Sequence, residues 1–160
     1  MKFFTKSRLI CWLLLGVIAG ALYASYAFGP KLQRTLLYFQ RNDGGLGIEE
    51  RYLPQLPDRD FAVLLIDELL LGPIDHTFLH FSDPDTRPRS CFVRGGALYV
   101  DLPARVLTSR IKTSDFHTVY TLLRKNILLN CKNIHTVYVY IEGIPAYVNN
   151  SDHTAENKKS

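Results

Sequence analysis

The sequence predicts an α+β fold behind one N-terminal transmembrane helix, on three observations. The first is Leu9–Phe28, 20 residues without a formal charge. The second is Cys91–Pro103, where Gly95-Gly96 separates two short runs rich in β-branched and aromatic residues, the pattern of a hairpin. The third is a pair of helical patterns, one before the hairpin and one after it. A lone hairpin is marginal in water, so the helices must cover its apolar face. The expectation is a single α+β domain with a mixed or antiparallel sheet and two helices packed on one face, in the order β-α-β-β-β-α-β. With 160 residues the chain has room for one such domain and a real core beyond the membrane segment.

As a helix, Leu9–Phe28 spans about 30 Å, the thickness of a hydrocarbon core. Lys2, Lys6 and Arg8 precede it, which places residues 1–8 in the cytoplasm and the rest of the chain outside. Trp12, Tyr23 and Tyr26 lie near its ends, where amphipathic rings favour the interface. A signal peptide cut after Ala27, with Ser25 as the other small residue, is the alternative; an apolar run longer than the usual about 7–15 residues favours the uncleaved anchor. Cys11 lacks the preceding small residues of a lipoprotein cleavage site and reads as an apolar membrane residue. Without the three N-terminal cations, 16 basic residues face 15 acidic ones, so the basic pI gives no argument for nucleic acid.

The extramembrane domain is expected over residues 31–148. Thr35–Gln40 is an apolar and aromatic strand, Asn42–Gly45 a turn and Glu49–Leu53 a short return strand. The first helix follows Pro57, with Asp58 or Asp60 at its start, a face of Phe61, Leu64, Leu65, Glu68 and Leu69, and a stop at Gly72-Pro73. Thr77–Phe81 is a further strand, followed by a proline-rich connector over 82–89. In the hairpin's second arm Leu98, Val100 and Leu102 form one apolar face, while Tyr99 and Asp101 lie on the other. The second helix is capped by Ser114, with Asp115 in its first turn and a stripe of Phe116, Val119, Tyr120, Leu123, Ile127 and Cys131. His135–Ile141 is the most strand-like run and is expected to be central. Ala146–Val148 is a candidate edge strand, and 149–160 a polar tail that need not fold.

Few patterns here carry chemistry. Asp67 and Glu68, adjacent on a helix, point about 100° apart and do not converge on one substrate atom. His76 and His80 on a strand stand about 13 Å apart, too far to share one ion. Asp83-Pro-Asp85 lacks the glycine and distal glutamate of a calcium loop. No catalytic residue, cofactor or metal is expected. Asp101 is a candidate cap for the amides after Pro103. Cys91 and Cys131 are either disulfide-bonded in an oxidising exported compartment or free and buried.

Leu69-Leu-Leu-Gly-Pro73, Gly96-Ala-Leu-Tyr-Val-Asp-Leu102, the helix Phe116–Cys131 and Val137-Tyr-Val-Tyr-Ile-Glu-Gly143, in this order, resemble the GerMN domain of sporulation and spore germination. The resemblance covers about Leu36 to Val148 in a single copy. It implies an α+β sheet with helices on one face, similar to the ring-building modules of sporulation channels. It also implies a membrane-tethered or lipoprotein setting at the cell envelope, without a recognised catalytic set. Three functions then compete. A non-enzymatic module would assemble with envelope proteins or with itself; a wall-binding module would use Tyr99, Tyr138 and Tyr140 as an aromatic platform on peptidoglycan; a glycan hydrolase would need two carboxylates at a defined separation, which no spacing supports. The first is the expectation. Tyr99, Asp101, Tyr138 and Tyr140 form the candidate interaction surface.

Overall fold

A computed structural model describes residues 3–29, 31–111 and 113–146. Tyr147 and Val148 of the expected edge strand, the tail 149–160 and the first two residues of the basic segment lie outside them. The chain divides into two compact units, Met1–Leu32 and Gln33–Ser160. In the first, helix α1 runs Phe3–Phe28, and its Arg8–Ala27 portion is long and apolar enough to cross a membrane.

The second unit holds nearly all the regular structure of an α+β domain, in two sheets. Strands β1 (Leu32–Gln40) and β2 (Leu46–Pro54) pair with each other. The connection between them is so short that the pair must be an antiparallel hairpin. Helix α2 (Asp58–Leu71) follows, then β3 (Ser90–Arg94), β4 (Ala97–Leu102), a 3-10 turn at Ala104–Leu107, α3 (Phe116–Asn130), β5 (Thr136–Ile141) and β6 (Ile144–Pro145). The last four strands form a mixed sheet in the order β3-β4-β5-β6, with β4 and β5 interior. The β3–β4 pair is antiparallel across Gly95-Gly96, whose φ angles of 58° and 75° supply the two left-handed positions of a type I′ turn. The β4–β5 pair is parallel, with α3 as its crossover.

The strands of the expected α+β domain fall into two sheets, and Thr77–Phe81 is not a strand. That segment makes isolated bridges only, Phe78 to Arg41 and His80 to Thr113. It runs between the end of β1 and the start of α3, satisfying one backbone group at a time: Leu79 N–H donates to Gln40 O and Ser114 N–H to His80 O. Two capping expectations also change. Pro57 occupies the α2 N-cap without a side-chain bond, while Asp58 accepts from Asn133 N–H at 2.8 Å. At α3 the cap is Asp115 rather than Ser114, its carboxylate accepting from Thr118 N–H and, at 2.6 Å, from the Thr118 hydroxyl. The hydroxyl bond is the larger cause that holds the Asp115 carboxyl below its usual range.

One core closes the unit. Leu98, Val100 and Leu102 of β4 are fully buried beside Val137 and Val139 of β5, against Phe61, Leu65 and Leu69 of α2 and Val119, Leu123 and Ile127 of α3. Leu37 and Phe39 of β1 enter the same cluster, with the Phe39 ring 5.2 Å from that of Phe81. At about 25 cal/mol per Å² of apolar surface removed from water, this continuous cluster is the main stabilising term.

Candidate interaction surface

The helices cover the β4–β5 face that carries Leu98, Val100 and Val137; among the described residues no layer lies over the other face of the four-stranded sheet. Register decides what stands there. Phe92 of β3 pairs with Tyr99 of β4, Tyr99 with Tyr138 of β5, Asp101 with Tyr140, and Tyr140 with Pro145 of β6. Partners across a ladder share a face, so Tyr99, Asp101, Tyr138 and Tyr140 are neighbours on the uncovered side, joined by Phe92.

Three of the rings form a continuous stack. Phe92 and Tyr99 have centroids 5.2 Å apart and planes 12° apart; Tyr99 and Tyr138 are separated by 5.1 Å and 23°. Each inner ring face is therefore turned to its neighbour, and the surface presents ring edges and tyrosine hydroxyl ends. A sugar platform needs a flat ring face, which Tyr99, enclosed on both sides, does not offer. Phe92 closes the row at the sheet edge and is 46% exposed.

Asp101 is engaged, though not where the sequence placed it. Its carboxylate accepts from Gly143 N–H at 2.9 Å, in the turn between β5 and β6, and Arg89 Nε stands 3.8 Å away. The amide of Ala104, just after Pro103, is met by Glu142 Oε1 instead. Glu142 and Gly143 both have positive φ, at 51° and 81°, so the two carboxylates hold a tight turn at the C-terminal end of the parallel pair. Asp101 has a structural partner already.

Cys91 and Cys131 are free thiols. Cys91 lies on the core side of β3 opposite Val100, and Cys131 is the buried C-cap of α3. Burial pushes each thiol up to about 12, which leaves both almost wholly protonated and unreactive at neutral pH.

Two buried polar clusters escaped the sequence reading. Arg51, 8% exposed, sits in β2 between Glu49 and Glu68, with closest approaches of 2.6 Å to each, and also donates to Gly72 O at 2.6 Å. Glu49 in turn accepts from the amides of Ile74 and Asp75, so the cluster fastens the C-terminal end of α2 to β2. Asn126, fully buried on α3, accepts from Tyr38 N–H and donates to Tyr38 O; Asn130, one turn later, donates to Leu36 O. These two side chains do along β1 what a neighbouring strand would do. An asparagine pair four residues apart within an apolar stripe was the available signal. Arg51 had none beyond its place within the expected return strand Glu49–Leu53.

His76 and His80 line one open cleft with Asn42 and Phe78. His80 Nδ1 has no hydrogen-bond partner, and burial lowers the imidazole's proton affinity. Among the described residues no group of three or more His, Cys, Asp or Glu side chains could hold a metal ion.

No family model matches the chain. An uncharacterized lipoprotein of Treponema pallidum (strain Nichols) is 42% identical over 79 residues, which cover 49% of this chain and 59% of the relative. The chain thus spans about three fifths of the length of that relative. Among solved structures, the first GerMN domain of the sporulation protein GerM from Bacillus subtilis superposes with a TM-score of 0.56 at 16% identity, over 71% of this chain and 85% of that one. The tandem GerMN domains of the same protein give 0.55 at 16% identity, over 76% of this chain and 43% of theirs. At that identity the likeness establishes the fold: the extramembrane unit has the GerMN architecture expected from its motifs.

Proposed function

We propose that this chain, whose folded unit has the GerMN fold, is a non-enzymatic module of the bacterial cell envelope, tethered by α1 and assembling with protein partners or with itself. The observation that carries this reading is the uncovered sheet face with its Phe92–Tyr99–Tyr138 stack. An exposed phenylalanine and two half-buried tyrosines set in a fixed row supply contact area at little cost in conformational entropy, as the centres of protein interfaces do. A setting at the envelope is supported by the membrane-length helix and by the lipoprotein name of the relative. In this reading α1 crosses once with its N-terminus in the cytoplasm, and the folded unit lies outside.

Peptidoglycan binding is the second reading, favoured by the tyrosine hydroxyls on the same face. The face-to-face packing of the rings ranks it lower. Co-sedimentation of a purified Lys31–Ser160 fragment with isolated cell-wall sacculi separates the readings. The expected result is a fragment that stays in the supernatant at every concentration and releases no glycan. Saturable pelleting would transfer the function to the wall, and released glycan fragments would overturn the non-enzymatic reading.

A further inference from the structure

A second surface lies on the outward side of the β1–β2 hairpin. The inward residues of β1, Thr35, Leu37 and Phe39, are buried, so Arg34, Leu36 and Tyr38 face away from the core. On β2 the outward residues are Ile48, Glu50 and Tyr52, and the Arg34–Glu50 ion pair at 2.8 Å confirms that the two rows share one face. The asparagine pair joins α3 to the free edge of β1, which carries this surface on to Lys125 and Leu129. Lys125 Nζ lies 4.4 Å from the Tyr38 ring centroid, and Leu129 lines a cleft with Arg34, Leu36 and Tyr38.

The composition of this face is unusual for a surface in water. Ile48, Leu129 and Tyr52 are 55%, 58% and 63% exposed, Glu50 neutralises Arg34, and Lys125 adds a cation over the Tyr38 ring. Exposed aliphatic side chains beside tyrosines and a lysine whose stem lies on a ring are what the headgroup region of a bilayer accommodates. Connectivity adds an independent constraint. Helix α1 ends at Phe28 and the folded unit starts at Gln33. The four intervening residues reach at most about 14 Å, so the first strand of the unit emerges at the bilayer surface.

We infer that the outward face of β1, β2 and the adjoining edge of α3 docks on the lipid surface. The inference rests on the tethered reading of α1. It goes beyond that reading by assigning the occupant of a face that no other described element covers.

The test uses the full chain in nanodiscs of phosphatidylcholine and phosphatidylglycerol whose headgroups carry a short-range quencher. A fluorophore is placed at Ile48→Cys or, for comparison, at Arg94→Cys on the other sheet, in a Cys11→Ala background where the remaining native thiols are the half-buried Cys91 and the buried Cys131. Ile48 is expected to be quenched several-fold more strongly than Arg94, and Leu129→Asp to reduce that excess. Equal quenching at the two positions, or stronger quenching at Arg94, would overturn the docking. If Leu129→Asp fails to fold, the comparison between the two positions decides alone. Trp12, the one tryptophan, reports on the tether separately: if brominated acyl chains leave it unquenched, the anchoring reading fails and the docking is withdrawn with it.

Discussion

Gly72 shows how a residue can be predictable for one reason and required for another. The Leu-Gly-Pro sequence marks it as a helix stop, and it is one. Its backbone, however, has φ 94° and ψ 178°, a region open essentially to glycine, and a Cβ there would collide with the His80 ring. Gly72→Ala should therefore destabilise the unit by about 1–3 kcal/mol, measured by urea unfolding. The ring packed there has its own consequence. Burial lowers the His80 pKa from the ordinary 6.5, so above that value the residue is neutral folded or unfolded and costs nothing. Below it the unfolded chain takes up a proton that the folded state resists, and stability falls as pH drops from 6.5 toward the folded value. The urea midpoint should decrease over this range, and His80→Leu should flatten the decrease; an unchanged slope would contradict it. The contact between them was not visible in the sequence, because the seven intervening residues, 73–79, form no regular element.

Among the elements, those with strong periodicity were legible. The Gly95-Gly96 hairpin, the apolar face of β4, the alternation in β5 and both helices of the folded unit stand where the residue pattern puts them, because burial on one face fixes the period. Thr77–Phe81 misled for a physical reason. Leu79 and Phe81 are buried on either side of the half-buried His80, which gives a strand-like alternation without a ladder on either side. The edge of β1 was illegible because side chains rather than a strand complete it. Asn126→Ala would leave the buried Tyr38 N–H and C=O without partners, at about 1–3 kcal/mol for each unpaired group. A loss of about 2–4 kcal/mol in unfolding free energy is expected, with faster hydrogen exchange at Tyr38 than in β4. A variant as stable as the parent would show that the asparagine bonds contribute nothing net.

At the scale of the molecule, fold and function were legible to different degrees. Fold class followed from pattern, and the GerMN motifs pointed to the architecture that the superposition bears out. The division into two sheets did not follow, since nothing local distinguishes a strand joining one sheet from a strand starting another. The four residues singled out at the surface do share a face, because strand alternation carries that information; that Asp101 serves the Gly143 turn, and that the rings stack face to face, depends on register between strands far apart in sequence. The central claim is that this face is where a protein partner binds. Site-specific photo-crosslinking in intact envelopes tests it most directly, with a benzophenone side chain at Phe92 or Tyr138 of the full chain and a control at Ile74, which is 73% exposed elsewhere on the unit. A discrete protein adduct, either a second copy or another envelope protein, is predicted from Phe92 and Tyr138 and none from Ile74. No protein adduct from either aromatic position, or the same adducts from Ile74, would contradict the account.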